Sequence, residues 1–108
     1  METQKQYSPV YSCEFFPPKT DEGAEKLRTT RDQLARLKPR FFSVTFGAGG
    51  STRERTFDTV CEIQRNSGIE AAPHLSCVAS TRDSVRDILS LYKNEGIVHI
   101  VALRGDIP

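Results

Sequence analysis

Polar side chains stand at or near the ends of four apolar runs in this sequence, and together they could perform acid–base chemistry. Glu14 comes near the end of the first run, which two prolines then stop. Thr45 lies near the end of the second run, His74 lies in the third, and Arg104-Gly105-Asp106 follows the fourth. A carboxylate, a hydroxyl, an imidazole and an arginine–aspartate pair are groups that transfer protons or bind anions.

A structural interpretation of the same residues stays open. A glutamate at a strand end also turns outward or pairs with an arginine, and Arg104 and Asp106 could neutralise each other at the surface. The functional interpretation requires that all four run ends meet at one edge of a sheet. It therefore depends on the elements that carry these residues.

Apolar periodicity predicts four strands that alternate with three helices. The strands are expected over 10–16, 41–46, 69–77 and 97–103. The helices are expected from an N-cap at Thr20 to Lys38-Pro39, from a Ser51–Glu54 capping box to Gly68, and from a Ser80–Asp83 capping box to Gly96. Pro73 lies inside the third run and predicts a bulge or an early end of that strand.

This alternation predicts an α/β fold with right-handed βαβ units on a parallel sheet. A doubly wound sheet and a (β/α)8 barrel both fit the pattern. The strands are expected in the order 1-2-3-4, with Glu14, Thr45, His74 and Asp106 at the same edge. A whole barrel needs about 250 residues, so the 108 residues supply roughly half of one.

Composition excludes several function classes. Fifteen Lys and Arg against 14 Asp and Glu give a net charge of +1, which gives no reason to expect nucleic acid as a partner. No apolar stretch approaches the about 20 residues of a membrane span, and no secretory signal is expected. Three cysteines without a CxxC pair fit a reduced, cytoplasmic protein.

No metal site is expected, because no second ligand pair accompanies His74 and Cys77. Cys61, Tyr92 and His99 are expected to be structural.

Four segments of the sequence resemble the methylenetetrahydrofolate reductase family, in its bacterial form. They are 12–19 (SCEFFPPK), 43–48 (SVTFGA), 71–75 (AAPHL) and 99–106 (HIVALRGD). The Glu-Phe-Phe-Pro-Pro and Leu-Arg-Gly-Asp elements at this separation are specific to the family. The resemblance runs from about Val10 to the last residue.

The resemblance implies a (β/α)8 TIM barrel that holds FAD at the C-terminal ends of its strands. Here it would be an incomplete barrel of about four parallel strands and three helices. Residues 10–108 would form the N-terminal part of the reductase domain, and residues 1–9 a flexible segment. The family reduces methylenetetrahydrofolate to methyltetrahydrofolate with NADH or NADPH, and the complete protein is expected to be a homo-oligomer.

The functional residues of the family carry over position by position. Glu14 matches the general acid that helps to open the one-carbon bridge of the folate, and Asp106 matches the aspartate beside flavin and folate. The positions that line FAD are matched by Thr45, His74, Arg104, Gly105 and Asp106. Because the family barrel continues through four more strands, the alternative is a non-catalytic fragment or truncated product without activity of its own.

Overall fold

The computed structural model describes residues 8–46, 50–78 and 80–104, in which four strands alternate with three helices. In chain order the elements are β1 (Ser12–Phe15), α1 (Asp21–Ala35), β2 (Phe41–Val44), α2 (Gly50–Ser67), β3 (Ala71–Ser76), α3 (Arg82–Asn94) and β4 (Val101–Leu103). The strands are parallel and lie in the order β1-β2-β3-β4. The predicted element order, strand direction and sheet order are confirmed, and the arrangement is that of an incomplete (β/α)8 barrel.

All four strands are shorter than their apolar runs predict. β1 covers 12–15 instead of 10–16, and β2 covers 41–44 instead of 41–46. β3 covers 71–76 instead of 69–77, and β4 covers 101–103 instead of 97–103. Ile97 is buried in the core, and its N–H donates to the Tyr92 carbonyl at 3.0 Å. The start of the fourth run is therefore apolar because part of it packs under α3, without pairing in the sheet.

Side-chain caps fix where two of the helices begin. Thr20 Oγ1 accepts the N–H three residues further on at 3.0 Å, as predicted for α1. The predicted cap of α3 is wrong by one residue, because Thr81 and not Ser80 is the N-cap. Thr81 and Ser84 each accept the other's backbone N–H at 3.0 Å, which forms a capping box. The predicted 51–54 box involves a side chain outside the described part of the structure.

β3 runs through Pro73, so the predicted bulge or early end is wrong. Backbone groups of successive strand residues point to opposite neighbours. The Glu70 carbonyl accepts the Phe42 N–H from β2 at 2.8 Å, so the nitrogen of Pro73 faces the side of β4. Pairing of β3 with β4 begins only at His74 and Val101. The missing N–H of the proline thus falls where that ladder has not yet begun.

All three helices cover one face of the sheet, because sequential right-handed crossovers place them on the same side. Phe42 and Val44 of β2 are fully buried there, in one cluster with Val60 and Ile63 of α2. The ring centroids of Phe15 and Phe42 are 5.2 Å apart and their planes make an angle of 60°. This aromatic contact packs β1 against β2. The core therefore lies between the sheet and the helices.

A buried ion pair joins α1 to α2. Arg31 is only 5% exposed and is bonded to the side chains of Glu62 and Asp32. Burial acts to lower the pKa of Arg31, but the hydrogen bonds to these carboxylates outweigh it and raise that pKa. Glu62 Oε2 is buried without a hydrogen-bond partner among the described residues. Removing Arg31 would therefore leave a partly buried carboxylate uncompensated.

The opposite face of the sheet carries no helix within the described residues. An incomplete barrel is expected to expose an apolar inner face, yet most residues on this face are small or polar. Its small and polar members are Ser12, Glu14, Ser43, Ala72, His74 and Ser76. Phe41, Val101 and Leu103 are its apolar members. In the described part of the chain, this face thus lacks most of the apolar side chains that a second core would need.

We predict that residues 1–108 on their own are unstable or aggregate. Among the described residues, β1 and β4 form the edges of the sheet and each has a strand partner on one side only, and the helix-free face is open. Size-exclusion chromatography and thermal melting of the purified chain test this. A monomer that melts cooperatively would contradict the prediction.

Candidate active site

The C-terminal edge of the sheet holds four of the six predicted site residues. Glu14 belongs to β1 and His74 to β3, whereas Thr45 and Arg104 directly follow β2 and β4. Continuing the β2–β3 register by one residue places Thr45 level with His74. In the β3–β4 register, Val101 is level with His74, so Arg104 lies three residues further toward the C-terminal edge. Gly105 and Asp106 lie outside the described residues.

Glu14 and His74 are in direct contact across the intervening strand. Glu14 Oε1 lies 3.2 Å from His74 Nε2. Two strand spacings of about 5 Å each separate β1 from β3, so only long side chains can meet there. Ser43 lies on the intervening strand in register with Glu14, and Ala72 precedes His74 by two residues on β3; both are small and buried. These small residues leave the space that the contact needs.

The Glu14–His74 pair can hold and transfer a proton. The two atoms are within ion-pair distance, so the contact is an ion pair when the imidazole is protonated. The His74 side chain is 12% exposed, whereas that of Glu14 is 54% exposed. The imidazole is therefore fixed by its surroundings, while the carboxyl group is open to a ligand above the edge.

The backbone of Thr45 is held from two sides. Its N–H donates to the Phe15 carbonyl at 2.9 Å, and its own carbonyl accepts the Thr56 hydroxyl of α2 at 2.9 Å. These bonds extend the contact between β1 and β2 by one residue and tie it to the helix layer. The half-buried side chain of Thr45 is thereby placed at the same edge as Glu14 and His74.

Sequence reasoning missed two residues that take part in this edge. Ser43 is the small residue beneath the Glu14–His74 contact, and its signal is the polar alternation of positions 43 and 45 in an otherwise apolar strand. Arg53 of α2 donates to the Ser80 hydroxyl at 2.7 Å, and its Cζ lies 5.8 Å from the centre of the Phe46 ring. An arginine in the first turn of a helix carries no signal that would single it out.

Three residues expected to be structural lie away from the C-terminal edge or within the core. His99 contacts the Glu70 side chain beside the N-terminal end of β3. Cys61 is buried, and burial raises the pKa of its thiol to about 11, which suppresses thiolate chemistry. Tyr92 is also buried, and burial raises its pKa. The burial of Cys61 and Tyr92 confirms that both belong to the core, whereas the structural role expected of His99 stays a prediction.

The described residues contain neither a candidate metal centre nor a membrane-spanning helix. No group of three or more His, Cys, Asp or Glu within 8–46, 50–78 and 80–104 is arranged to hold a metal ion. Over the same ranges, no helix has the length and apolar character needed to cross a bilayer.

Comparison with known proteins assigns the family. The family model described as methylenetetrahydrofolate reductase matches residues 1–108. This chain belongs to the methylenetetrahydrofolate reductase family. Its strand-end motifs and its parallel sheet are thus those of a member of this family, and the resemblance found in the sequence is confirmed.

Curated relatives show how much of such a reductase the chain represents. It is 52% identical over 97 residues to the 5,10-methylenetetrahydrofolate reductase of Salmonella typhimurium, and 50% identical over 97 residues to that of Escherichia coli K12. Each match covers 90% of this chain and 33% of the relative. A probable methylenetetrahydrofolate reductase (NADH) of Oryza sativa is 38% identical over 99 residues, which is 92% of this chain and 17% of that protein. The chain spans about a third of the length of the bacterial reductases it matches.

We predict that Glu14 and His74 are energetically coupled in the full-length reductase. Glu14→Gln and His74→Asn should each lower the free energy of unfolding. The double variant should lower it by about 0.5 kcal/mol less than the sum of the two single losses, because either substitution alone already removes the half-exposed contact. Urea unfolding of the four proteins measures the coupling. Glu14→Gln combined with Glu25→Gln on exposed α1 is the additive control, and additivity in the His74 cycle as well would refute the coupling.

Proposed function

We propose that this chain supplies part of the catalytic centre of a flavin-dependent methylenetetrahydrofolate reductase. The complete protein would reduce methylenetetrahydrofolate to methyltetrahydrofolate with NADH or NADPH as the electron donor. The observation that supports this best is the Glu14–His74 contact at the C-terminal edge of a parallel sheet. It joins a residue suited to proton transfer to one suited to cofactor binding, at the edge where such barrels place their chemistry.

Glu14 is the proposed general acid. Its carboxyl group is exposed at the edge and is oriented by the nearly buried His74. Protonation of a nitrogen in the one-carbon bridge of the folate weakens the bond from that nitrogen to the bridging carbon. The bridge then opens to an iminium, whose carbon accepts a hydride. The acid must lie within hydrogen-bond reach of that nitrogen, and an open carboxyl group above the edge allows this.

The side chains at the edge fit FAD by their chemistry. A hydroxyl (Thr45), an imidazole (His74) and an exposed guanidinium (Arg104) are donors of the kind that bind phosphate, ribose and flavin oxygens. When bound, FAD would accept a hydride from the nicotinamide and deliver it to the folate. We assign Thr45, His74 and Arg104 to the binding of FAD.

The Arg104 segment continues this assignment beyond the described residues. Gly105 would let the backbone approach the cofactor, and Asp106 would contact both FAD and folate in a catalytic role. The reductase domain would include 10–108, after a flexible segment at 1–9. We further propose a cytoplasmic protein that forms a homo-oligomer when complete.

Glu14→Gln in the full-length reductase tests the acid role. Glutamine keeps the size of the side chain but cannot supply the proton, so folate reduction should fall by about a hundredfold or more. Flavin reduction by the nicotinamide should stay largely intact, because that half-reaction needs no proton from Glu14. Stopped-flow absorbance follows each half-reaction separately, with Glu25→Gln as the control. Equal loss in both half-reactions would mean that Glu14 is structural or binds flavin instead.

The second candidate is that residues 1–108 alone form a non-catalytic fragment. The match to only a third of the bacterial reductases favours this for the isolated chain. We predict that residues 1–108 do not retain FAD, because four strands provide part of a cradle and ordering on binding costs affinity. The chain is mixed with excess FAD, desalted and examined by visible absorbance. A stoichiometric flavin band, or bleaching by NADH beyond that of free FAD, would show that four strands suffice.

A further inference from the structure

Arg53 connects the loop after β2 to the loop after β3, and it is not among the residues assigned above to the site. It lies in the first turn of α2, where its side chain is half-buried. Nη2 donates to the Ser80 hydroxyl at 2.7 Å, and Cζ lies over the Phe46 ring at 5.8 Å from its centre. Phe46 and Ser80 both belong to connections at the C-terminal edge of the sheet.

Arginine is suited to make both contacts with one group. The guanidinium is planar, so it can donate hydrogen bonds in its plane while its face lies against an aromatic ring. A lysine ammonium is a compact point charge that cannot match this combination. The contact therefore depends on the shape of the guanidinium as well as on its charge.

The two loops carry or adjoin residues proposed to bind FAD. Backbone pairing between β2 and β3 extends to Val44 and Pro73, so Thr45 and Phe46 lie just beyond the paired region. On the other side, the Ser80 N–H donates to the Cys77 carbonyl at 3.1 Å, which closes a turn directly after β3. Arg53 thus joins the two connections above the end of the backbone ladder.

We propose that Arg53 is a positioning residue for the flavin-binding edge. By linking Phe46 to Ser80, it fixes the spacing between the loop that carries Thr45 and the strand that carries His74. This inference rests on the proposed function, because FAD is the ligand whose binding it serves. Arg53 has no assigned contact with the reacting atoms. Its loss should weaken FAD binding while the core beneath α2 keeps the apoprotein folded.

The test uses the full-length reductase, freed of FAD and titrated with it. Flavin fluorescence gives the Kd for FAD, and the melting temperature of the apoprotein reports stability. Arg53→Met and Ser80→Ala should each weaken FAD binding by about tenfold, the effect of one lost charge-assisted hydrogen bond. The double variant should bind FAD as well as the single variant with the higher Kd, because both substitutions remove the same hydrogen bond. Arg53→Lys should restore part of the affinity.

Arg65→Met is the matched control. Arg65 lies on the same helix and is bonded to Glu95, but it stands at the opposite end of α2. Its replacement should leave the Kd for FAD unchanged, whatever it does to the melting temperature. If Arg53→Met and Ser80→Ala bind FAD within about twofold of the unmodified protein, well short of one lost hydrogen bond, or if Arg65→Met is equally impaired, the inference is wrong.

The variants also separate this inference from the proposed function. If Arg53→Met fails to fold, Ser80→Ala decides the outcome, because it removes the same hydrogen bond with a small change at the surface. If the unmodified full-length protein does not bind FAD, the proposed function fails and this inference fails with it. If the unmodified protein binds FAD and the Arg53 and Ser80 variants match it, only the positioning role is refuted.

Discussion

The parallel pairing of β2 with both of its neighbours is the constraint on which the rest of the structure depends. Phe42 and Val44 are buried beneath α2, and this fixes which residues of β2 face the helices. The residue between them, Ser43, must then face the other way and stand level with Glu14. A slip of one residue in β1 would turn Glu14 toward the helix layer. Packing on one face thus sets the position of the acid on the other.

The two faces of the sheet divide stability from chemistry. The helix-covered face contributes the buried aromatic and aliphatic side chains, and the Arg31–Glu62 pair adds a charged link between α1 and α2. The helix-free face contributes small and polar groups that make almost no core. Because successive strand residues alternate between faces, both sets of side chains are supplied by the same short strands. The apolar packing that holds the strands together therefore lies on the helix-covered face.

Much of this fold could be predicted because it follows from local patterns and from the handedness of βαβ crossovers. Element order, parallel strands and the edge shared by Glu14, Thr45 and His74 required no knowledge of side-chain contacts. The Glu14–His74 contact could not be predicted in the same way. It depends on the register of three strands and on the small size of Ser43, neither of which is visible until the strands are paired.

The predicted cap of α3 and the predicted effect of Pro73 are wrong for different physical reasons. Ser80 and Thr81 are both good caps by residue type, and hydrogen bonds of the two hydroxyl groups decide between them. Ser84 completes a capping box with Thr81, while the Ser80 hydroxyl accepts a hydrogen bond from Arg53. The effect of Pro73 depends on which neighbouring strand its nitrogen faces, a property that no single-strand pattern contains.

Pro73 has a consequence for how β4 finds its place. If β4 slid by two residues toward the N-terminal end of β3, the new ladder would need an N–H from Pro73, which has none. The slipped pairing would thus lose a bond that the observed pairing keeps. It would also lower Arg104 by about 7 Å relative to the other strand ends. By lacking an N–H, Pro73 therefore disfavours this slipped register of β4. It thus helps to fix where Arg104 lies relative to the ends of the other strands.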